Sequence, residues 1–272
     1  MPELPEVETI VRGLTGSLVG QRVGDVIVHR ADVVRPDAKG LRMLLVGHCV
    51  TRVWRRGKHI GMAFEGDVGL AFHLGMSGQL TVQPSGARLE THTHLRITLA
   101  GSGRELRFRD PRRFGGVWVR RDSATPEFAS CVRLGDEPLD ISRRNFARLL
   151  RRRRQIKALL LDQHVLAGLG NIYTDEILYR AGIHPLTSAC ELSDAAVGRL
   201  WRTMRRVLRE AIAAGGSTIQ DHVDANGRPG EFQHRHRVYG RQGQPCPRCG
   251  ALIVKRVVAG RGTHLCPRCQ LR

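Results

Sequence analysis

The sequence predicts an α+β multidomain fold: an N-terminal antiparallel β-sandwich, a helical domain after it, and a small C-terminal β-hairpin unit. Three observations carry that reading. Short β-branched and apolar segments punctuated by glycine fill residues 23–121, apolar residues at helical spacing take over after residue 141, and two tight cysteine pairs close the chain. At 272 residues there is room for two domains and a small appendage. The boundaries that follow are 1–121 for the sandwich domain, 122–140 for a linker, 141–240 for the helical domain and 241–272 for the terminal unit.

Leu4, Val7, Ile10, Val11, Leu14 and Leu18 recur at helical spacing, so a first helix is expected from about Pro5 to Ser17, ended by Gly20. Strands are expected at Val26–His29, Val50–Trp54, Ile60–Phe64, Val68–Leu74, Leu80–Val82, His94–Leu99, Glu105–Phe108 and Val117–Val119. Eight short strands at that pitch indicate an antiparallel sandwich or a flattened barrel. Pro126 and Pro138, among small and acidic residues, mark the linker. Ser142 is placed to cap a helix reaching Leu150, and a longer helix spans Leu192–Ala214 before Gly215 and Gly216 end it. Between them, Gly168 and Gly170 break the helical pattern and predict a turn feeding a helix from about Ile172. Residues 217–244, rich in glycine and charge, read as a long functional or mobile loop. It carries His234 and His236, to which no metal or catalytic role is assigned.

With 44 basic and 25 acidic residues the formal charge is +19, which attracts a polyanion and points to nucleic acid. A basic ribosomal-type or membrane-surface protein would share that charge. No apolar run approaches the roughly 20 residues needed to cross a bilayer, and no signal segment opens the chain, so a soluble, cytoplasmic protein without a membrane partner is expected. Cys49, Cys131 and Cys190 are scattered and read as small hydrophobes, whereas the other four of the seven cysteines are clustered.

Cys246, Cys249, Cys266 and Cys269 form two C-x2-C pairs. Each pair suits a tight turn aiming both thiolates at one ion, and the stretch with Ile253, Val254, Val257 and Val258 can fold back as a hairpin. Four thiolates make a closed tetrahedral site, so one structural zinc is expected. A redox dithiol or two disulfides is the competing reading. The unit is too small to fold on its own apolar core, and its many arginines and lysines suit phosphates.

The chain opens Met1-Pro2-Glu3-Leu4-Pro5-Glu6. Loss of the initiator methionine would expose a secondary amine on Pro2 beside the Glu3 carboxylate. An α-amino group titrates at roughly 7.7 to 8, so much of it is nucleophilic at neutral pH, and a secondary amine forms an iminium with an aldehyde-level carbon. Glu6 falls one helical turn beyond Glu3 and suits a supporting role. The plain alternative is a helix start with acidic residues favoured by the dipole. Lys58 sits at the tip of the turn Arg55-Arg56-Gly57-Lys58, where a solvated hairpin is the plain reading. His73-Leu74-Gly75-Met76-Ser77-Gly78 and Asp110-Pro111-Arg112-Arg113-Phe114-Gly115-Gly116 are glycine-rich loops carrying large side chains. Core packing for Met76 and Phe114, and surface charge for Arg112, is the plain reading there.

These motifs, in this order, resemble the bacterial formamidopyrimidine-DNA glycosylases along essentially the whole chain. Leu4 favours that branch over the related endonuclease VIII group, which begins with glycine at the corresponding place. The resemblance implies a base excision repair enzyme for oxidised purines in double-stranded DNA, bifunctional as glycosylase and abasic-site lyase. It implies a helix-two-turn-helix within 141–240, a lesion-covering loop near its end and a zinc ribbon over 241–272. Pro2 is implied as the Schiff-base nucleophile, Glu3 as proton donor, Glu6 as support, and Lys58 and Arg261 as further catalytic groups. Met76, Arg112 and Phe114 match the residues that fill the gap left by a flipped nucleotide. His92, Arg152 and Asn171 match DNA contacts. Zinc is the one cofactor implied, with no small-molecule cofactor, and the chain is expected to act as a monomer. Removal of oxidised pyrimidines by the same machinery is the alternative activity, and a catalytically inactive zinc-ribbon DNA-binding protein is the alternative class. The resemblance breaks at Gly262-Thr263-His264-Leu265, where the family carries two aromatics before the cysteine, and a looser ribbon loop is expected from their absence.

Overall fold

A computed structural model describes residues 2–121 and 133–272. Met1, with the expectation of its removal, and most of the linker read over 122–140, with Cys131, lie outside the described residues. The chain divides into two compact units. The first runs to Arg133 and also takes Ala214–Glu231; the second comprises Leu134–Ala213 and Phe232–Arg272.

In the first unit, helix α1 (Leu4–Leu18) begins where Pro5 fixes a helical φ and where Glu3 and Glu6 form a reciprocal capping box. Its buried stripe of Val7, Ile10, Val11, Leu14 and Leu18 enters the sandwich core. Each such side chain contributes about 1.5–3 kcal/mol of burial. The strands are β1 (Val23–Val28), β2 (Val34–Arg35), β3 (Val50–Arg56), β4 (His59–Phe64), β5 (Val68–His73), β6 (Gln79–Pro84), β7 (Thr93–Leu99), β8 (Arg104–Arg109) and β9 (Gly116–Arg121), with a short helix α2 (Leu41–Leu45) between β2 and β3. They form two sheets, ordered β1-β7-β8-β6 and β2-β9-β5-β4-β3. This is the expected sandwich, and the barrel reading falls away because neither sheet closes on itself. All its pairings are antiparallel except β2 with β9, which is parallel. The two-residue β2 and the helix α2 carry too little periodicity to be seen in the sequence. Phe72 of β5 and Phe108 of β8 meet edge to face at 6.1 Å inside one continuous core.

Ala214–Glu231 returns to this unit. Val82 N donates to Ala225 O at 2.8 Å, and Gln79 Nε2 donates to Asp221 O at 2.6 Å. Ala225 is wholly buried against α1, where a Cβ on Gly13 would lie 2.7 Å from its own Cβ. Only glycine admits so close an approach.

The second unit holds α3 (Arg143–Leu149), α4 (Ile156–Leu161), α5 (Asn171–Ala181), α6 (Asp194–Ala213) and the hairpin β10 (Val254–Val258) with β11 (Arg261–Leu265). Ser142 caps α3 as expected, its Oγ accepting from Asn145 N at 3.2 Å. Gly182, with φ 66°, ends α5 in the left-handed region. Ala259 and Gly260, with φ 51° and 68°, make the two-residue turn between β10 and β11. Positive φ at both positions matches the right-handed twist of a tight hairpin.

Candidate functional site

The opening residues are buried. Pro2 lies inside, and Glu3 and Glu6 are each 2 % exposed. Glu6 Oε2 accepts from Glu3 N at 2.9 Å, while its Oε1 accepts from Ser217 N at 2.7 Å. One carboxylate therefore ties the start of α1 to the segment that follows α6. Gly216, at φ 80°, makes this possible: a Cβ there would lie 2.8 Å from Glu6 Oε1. A buried carboxylate that accepts two N–H bonds is stabilised in its charged form and is costly to leave half satisfied.

Lys58 stands at the β3–β4 turn, where Gly57 takes φ 56°, and is largely buried. Beside it, His59 of β4 and His73 of β5 face each other in register with ring centroids 4.8 Å apart. Burial pushes the His59 pKa down to about 3, with the charges of His73, Lys58 and Arg56 adding to the effect. His73 is lowered by burial and then by Lys58. The lysine thus shares its surroundings with two imidazoles that burial disfavours in their charged form. From α1, Glu8 accepts from Arg55 Nε of β3 and from Arg12 Nε of its own helix, both at 2.9 Å.

The two glycine-rich loops pack backbone to backbone. A Cβ on Gly75 would lie 2.5 Å from Gly115 N, and one on Gly115 would lie 2.4 Å from His73 O. Asp110, with no exposure, is the hub. Its Oδ1 accepts from Ser77 Oγ at 2.7 Å, its Oδ2 accepts from Gly115 N at 2.8 Å, and its backbone O is 2.9 Å from His94 Nε2. This rigid base presents the large side chains outward. Met76 is 43 % exposed and Phe114 57 %, with the Arg112 guanidinium 4.6 Å above the Phe114 ring. The plain reading of Met76 and Phe114 as core residues does not hold, because their loops turn them to solvent. His92 is exposed at φ 67°, and its carbonyl accepts from Asp110 N at 3.0 Å. Sequence reading passed over Asp110, Ser77 and His94, although an aspartate before proline in such a loop is a turn signal.

In the second unit, Asn171 opens α5, and its Nδ2 donates to Gly262 O at 2.8 Å, next to the exposed Arg261 on β11. Beneath lies a buried network that sequence reading also missed. Lys157 Nζ donates to Asp175 Oδ1 at 2.6 Å and to Thr263 Oγ1 at 2.7 Å, and His264 N donates to Asp175 Oδ2 at 2.8 Å. All four side chains are buried. Their pairing removes the penalty of burying charge and fixes β11 to α4 and α5. The looser ribbon loop is accordingly not found: His264 packs edge to face on Tyr239 at 5.1 Å, and Leu265 is 2 % exposed. Glu176 accepts from the backbone N–H groups of Arg237, Val238 and Tyr239 at 2.8, 2.9 and 3.0 Å, and burial raises its pKa against those bonds. His236 packs edge to face between Phe232 and Tyr239, each at 5.7 Å, and burial lowers its pKa to about 4. Arg152 is exposed in the loop after α3. Cys190 is also exposed and so departs from the small-hydrophobe reading; Cys49 is half-buried.

The four ribbon sulfurs lie within 4.8 Å of one another, with Cys246 and Cys269 at 3.9 Å and Cys249 and Cys266 at 3.5 Å. Zinc–sulfur bonds of about 2.3 Å in a tetrahedron require separations of that size. Arg248 N and Cys269 N each donate to a cysteine sulfur at 3.4 Å, as turns that wrap an ion do. Tyr179 Oη is 3.2 Å from Cys246 Sγ. The residues fit one structural zinc, and the dithiol and disulfide readings fail because all four sulfurs converge on one point.

Family models cover the chain in sequence: formamidopyrimidine-DNA glycosylase N-terminal domain over residues 1–117, formamidopyrimidine-DNA glycosylase H2TH domain over 134–223, and the zinc finger found in FPG and IleRS over 243–272. In class, the chain is a zinc-ribbon DNA glycosylase. Curated relatives refine that. It is 47% identical to the formamidopyrimidine-DNA glycosylase of Roseiflexus sp. (strain RS-1), over 99% of this chain and 100% of that one. It is 46% identical to the Thermus thermophilus protein of the same name, over 99% and 98%. Among solved structures, Lactococcus lactis Fpg in complex with DNA containing an abasic site superposes with a TM-score of 0.92 at 36% identity, covering 99% of this chain and 100% of that one. MutM with DNA containing carbocyclic 8-oxo-G gives 0.91 at 36%, covering both chains completely. The chain belongs to the formamidopyrimidine-DNA glycosylase family.

Proposed function

We propose that this protein excises oxidised purines, 8-oxoguanine and formamidopyrimidines, from duplex DNA and then cleaves the strand at the abasic site. Family membership makes it a base excision repair glycosylase. The observation that most supports the mechanism is the buried Pro2-Glu3 start held by Glu6, because the amine that loss of Met1 would expose there would stand beside a carboxylate in a site shielded from water.

In this reading, loss of Met1 frees the Pro2 nitrogen to attack C1′ of the damaged nucleoside while Glu3 supplies a proton near the sugar ring oxygen. The C1′–base bond breaks and the base leaves with its electron pair; the C1′–O4′ bond then opens, its electron pair leaving on the ring oxygen, which takes the Glu3 proton, while the nitrogen lone pair forms the C=N bond of the iminium. The resulting iminium acidifies the C2′ proton, so β-elimination expels the 3′ phosphate and δ-elimination the 5′ phosphate, leaving a one-nucleotide gap. Lys58 assists these proton transfers from its buried turn. Met76 and Phe114 wedge into the stack and Arg112 offers donors to the estranged base, which their exposure on a rigid base allows. Asn171 at the N-terminus of α5 and Arg261 on the ribbon contact phosphates, with His92 and Arg152 as further contacts. The zinc supplies no reaction step; it holds the hairpin that carries Arg261.

The test is excision from an 8-oxoguanine:cytosine duplex beside a thymine glycol duplex. Release of 8-oxoguanine with strand cleavage, faster than any action on thymine glycol, is expected. Glu3→Gln should slow base release by about 100-fold or more, the usual weight of a positioned proton donor. Preference for thymine glycol would contradict the substrate assignment, and full-rate excision by the variant would contradict the role of Glu3.

A further inference from the structure

The outer face of α6 plays no part in the proposed chemistry, yet it holds a dense array of cations. Arg199, Arg202, Arg206 and Arg209 repeat at steps of three, four and three, so they share one side of the helix over about 15 Å. Beside them, Arg205 lies 5.0 Å over the ring of half-buried Trp201, whose Nε1 donates to Ile141 O at 3.0 Å. From α3, Arg143 reaches the same face. A Cβ on Gly198 would lie 3.4 Å from both Arg143 Nη2 and Arg202 Nη1, so two guanidinium groups converge above a bare stretch of helix.

Acidic partners are scarce. Among the described residues, Arg143, Arg144, Arg148, Arg202 and Arg209 make no ion pair. Glu210 already pairs with Arg180 at 2.7 Å and Arg206 at 3.8 Å. Arg202, Arg205, Arg206, Arg209 and Glu210 surround a depression of about 400 Å³ with Trp201 in its wall. Like charges held together cost free energy that an anion recovers, and planar guanidinium groups match carboxylates in paired hydrogen bonds. A phosphate backbone would meet the arginines and leave the tryptophan-walled depression unused. A peptide carrying both carboxylates and one bulky apolar side chain uses both features.

We propose that the α3–α6 face of the second unit is a docking surface for an acidic peptide segment that carries an apolar or aromatic anchor. The segment lies along the arginine row, four or five extended residues covering about 15 Å, and its anchor enters the depression beside Trp201. Exposed charge pairs dominate the contact, so binding is weak and falls with salt.

The experiment uses the full zinc-loaded chain and a fluorescein-labelled peptide of mixed aspartate and glutamate around one phenylalanine, read by anisotropy at ~50 mM salt, where screening is modest. A short lesion duplex is held at saturation throughout, so that the peptide cannot be read at the site of DNA chemistry. Saturable binding is expected. Serine in place of the phenylalanine should weaken it by roughly tenfold, and the combined Arg202→Glu, Arg206→Glu and Arg209→Glu chain by roughly 30-fold or more, from several lost charge-assisted contacts. These residues are exposed, so the fold and excision of 8-oxoguanine should be unchanged. Absence of binding, equal binding by the charge-reversed chain, or indifference to the phenylalanine would overturn the proposal. Loss of affinity for an undamaged long duplex, with peptide binding intact, would assign the face to DNA instead.

Discussion

Glu6 concentrates the most structural consequence in one side chain, because its two oxygens accept from two backbone N–H groups far apart in sequence, Glu3 and Ser217. Glutamine offers one acceptor oxygen and a donor amide in the same space. Glu6→Gln should therefore leave one buried N–H facing another donor and cost about 1–3 kcal/mol. A thermal melt checks this: the melting temperature should fall by several degrees, and an unchanged value would show that the carboxylate does not tie the two segments together. The identities of Pro2, Glu3 and Glu6 were legible in the sequence because they stand within one helical turn. Ser217 was not, since nothing local signals that a backbone N–H so far along the chain returns to α1. Asp110 was missed for the same reason, its partners Ser77 and Gly115 being brought together only by the packing of two loops.

At the level of elements, the β4–β5 pair carries a built-in pH dependence. His59 is neutral in the folded chain down to about pH 3, whereas in the unfolded chain it takes up a proton near 6.5. The unfolded state therefore binds more protons between those values, so this contribution to stability is intact above pH 6.5 and is lost as pH falls towards 3. Between pH 6.5 and 5 the loss should be about 2 kcal/mol, and His73 acts in the same direction. Denaturation midpoints measured over that range should decline for the native chain and decline less for His59→Phe; parallel declines would contradict the assignment. The ribbon hairpin depends on its metal in the same local way. One zinc per chain is expected by elemental analysis. Its removal should abolish amide-exchange protection across Val254–Leu265 while leaving the β-sandwich protected, and persistent protection would show that packing alone holds the hairpin. The cysteine spacing made this element readable in advance. The Lys157–Asp175–Thr263 network that seats it was invisible, because lysine and aspartate in apolar helices give no sign of their mutual burial until α4, α5 and β11 are assembled.

Across the whole molecule, the net charge of +19 gave the polyanionic partner early, but composition alone fitted a ribosomal or membrane-surface protein equally well. Eight short strands at a regular pitch announced a sandwich or flattened barrel, while the sheet order and the parallel pairing of β2 with β9 came only from contacts between distant segments. The return of Ala214–Glu231 to the first unit was likewise hidden, since glycines and charges in sequence describe a loop and not where it docks. What these pieces jointly support is covalent chemistry at the amino terminus, and borohydride reduction during reaction with an 8-oxoguanine duplex examines it directly. A stable protein–DNA adduct is expected, its peptide map placing the linkage on Pro2, with Pro2→Gly giving little or none. An adduct mapped to a lysine, or efficient strand cleavage with no adduct, would contradict that chemistry.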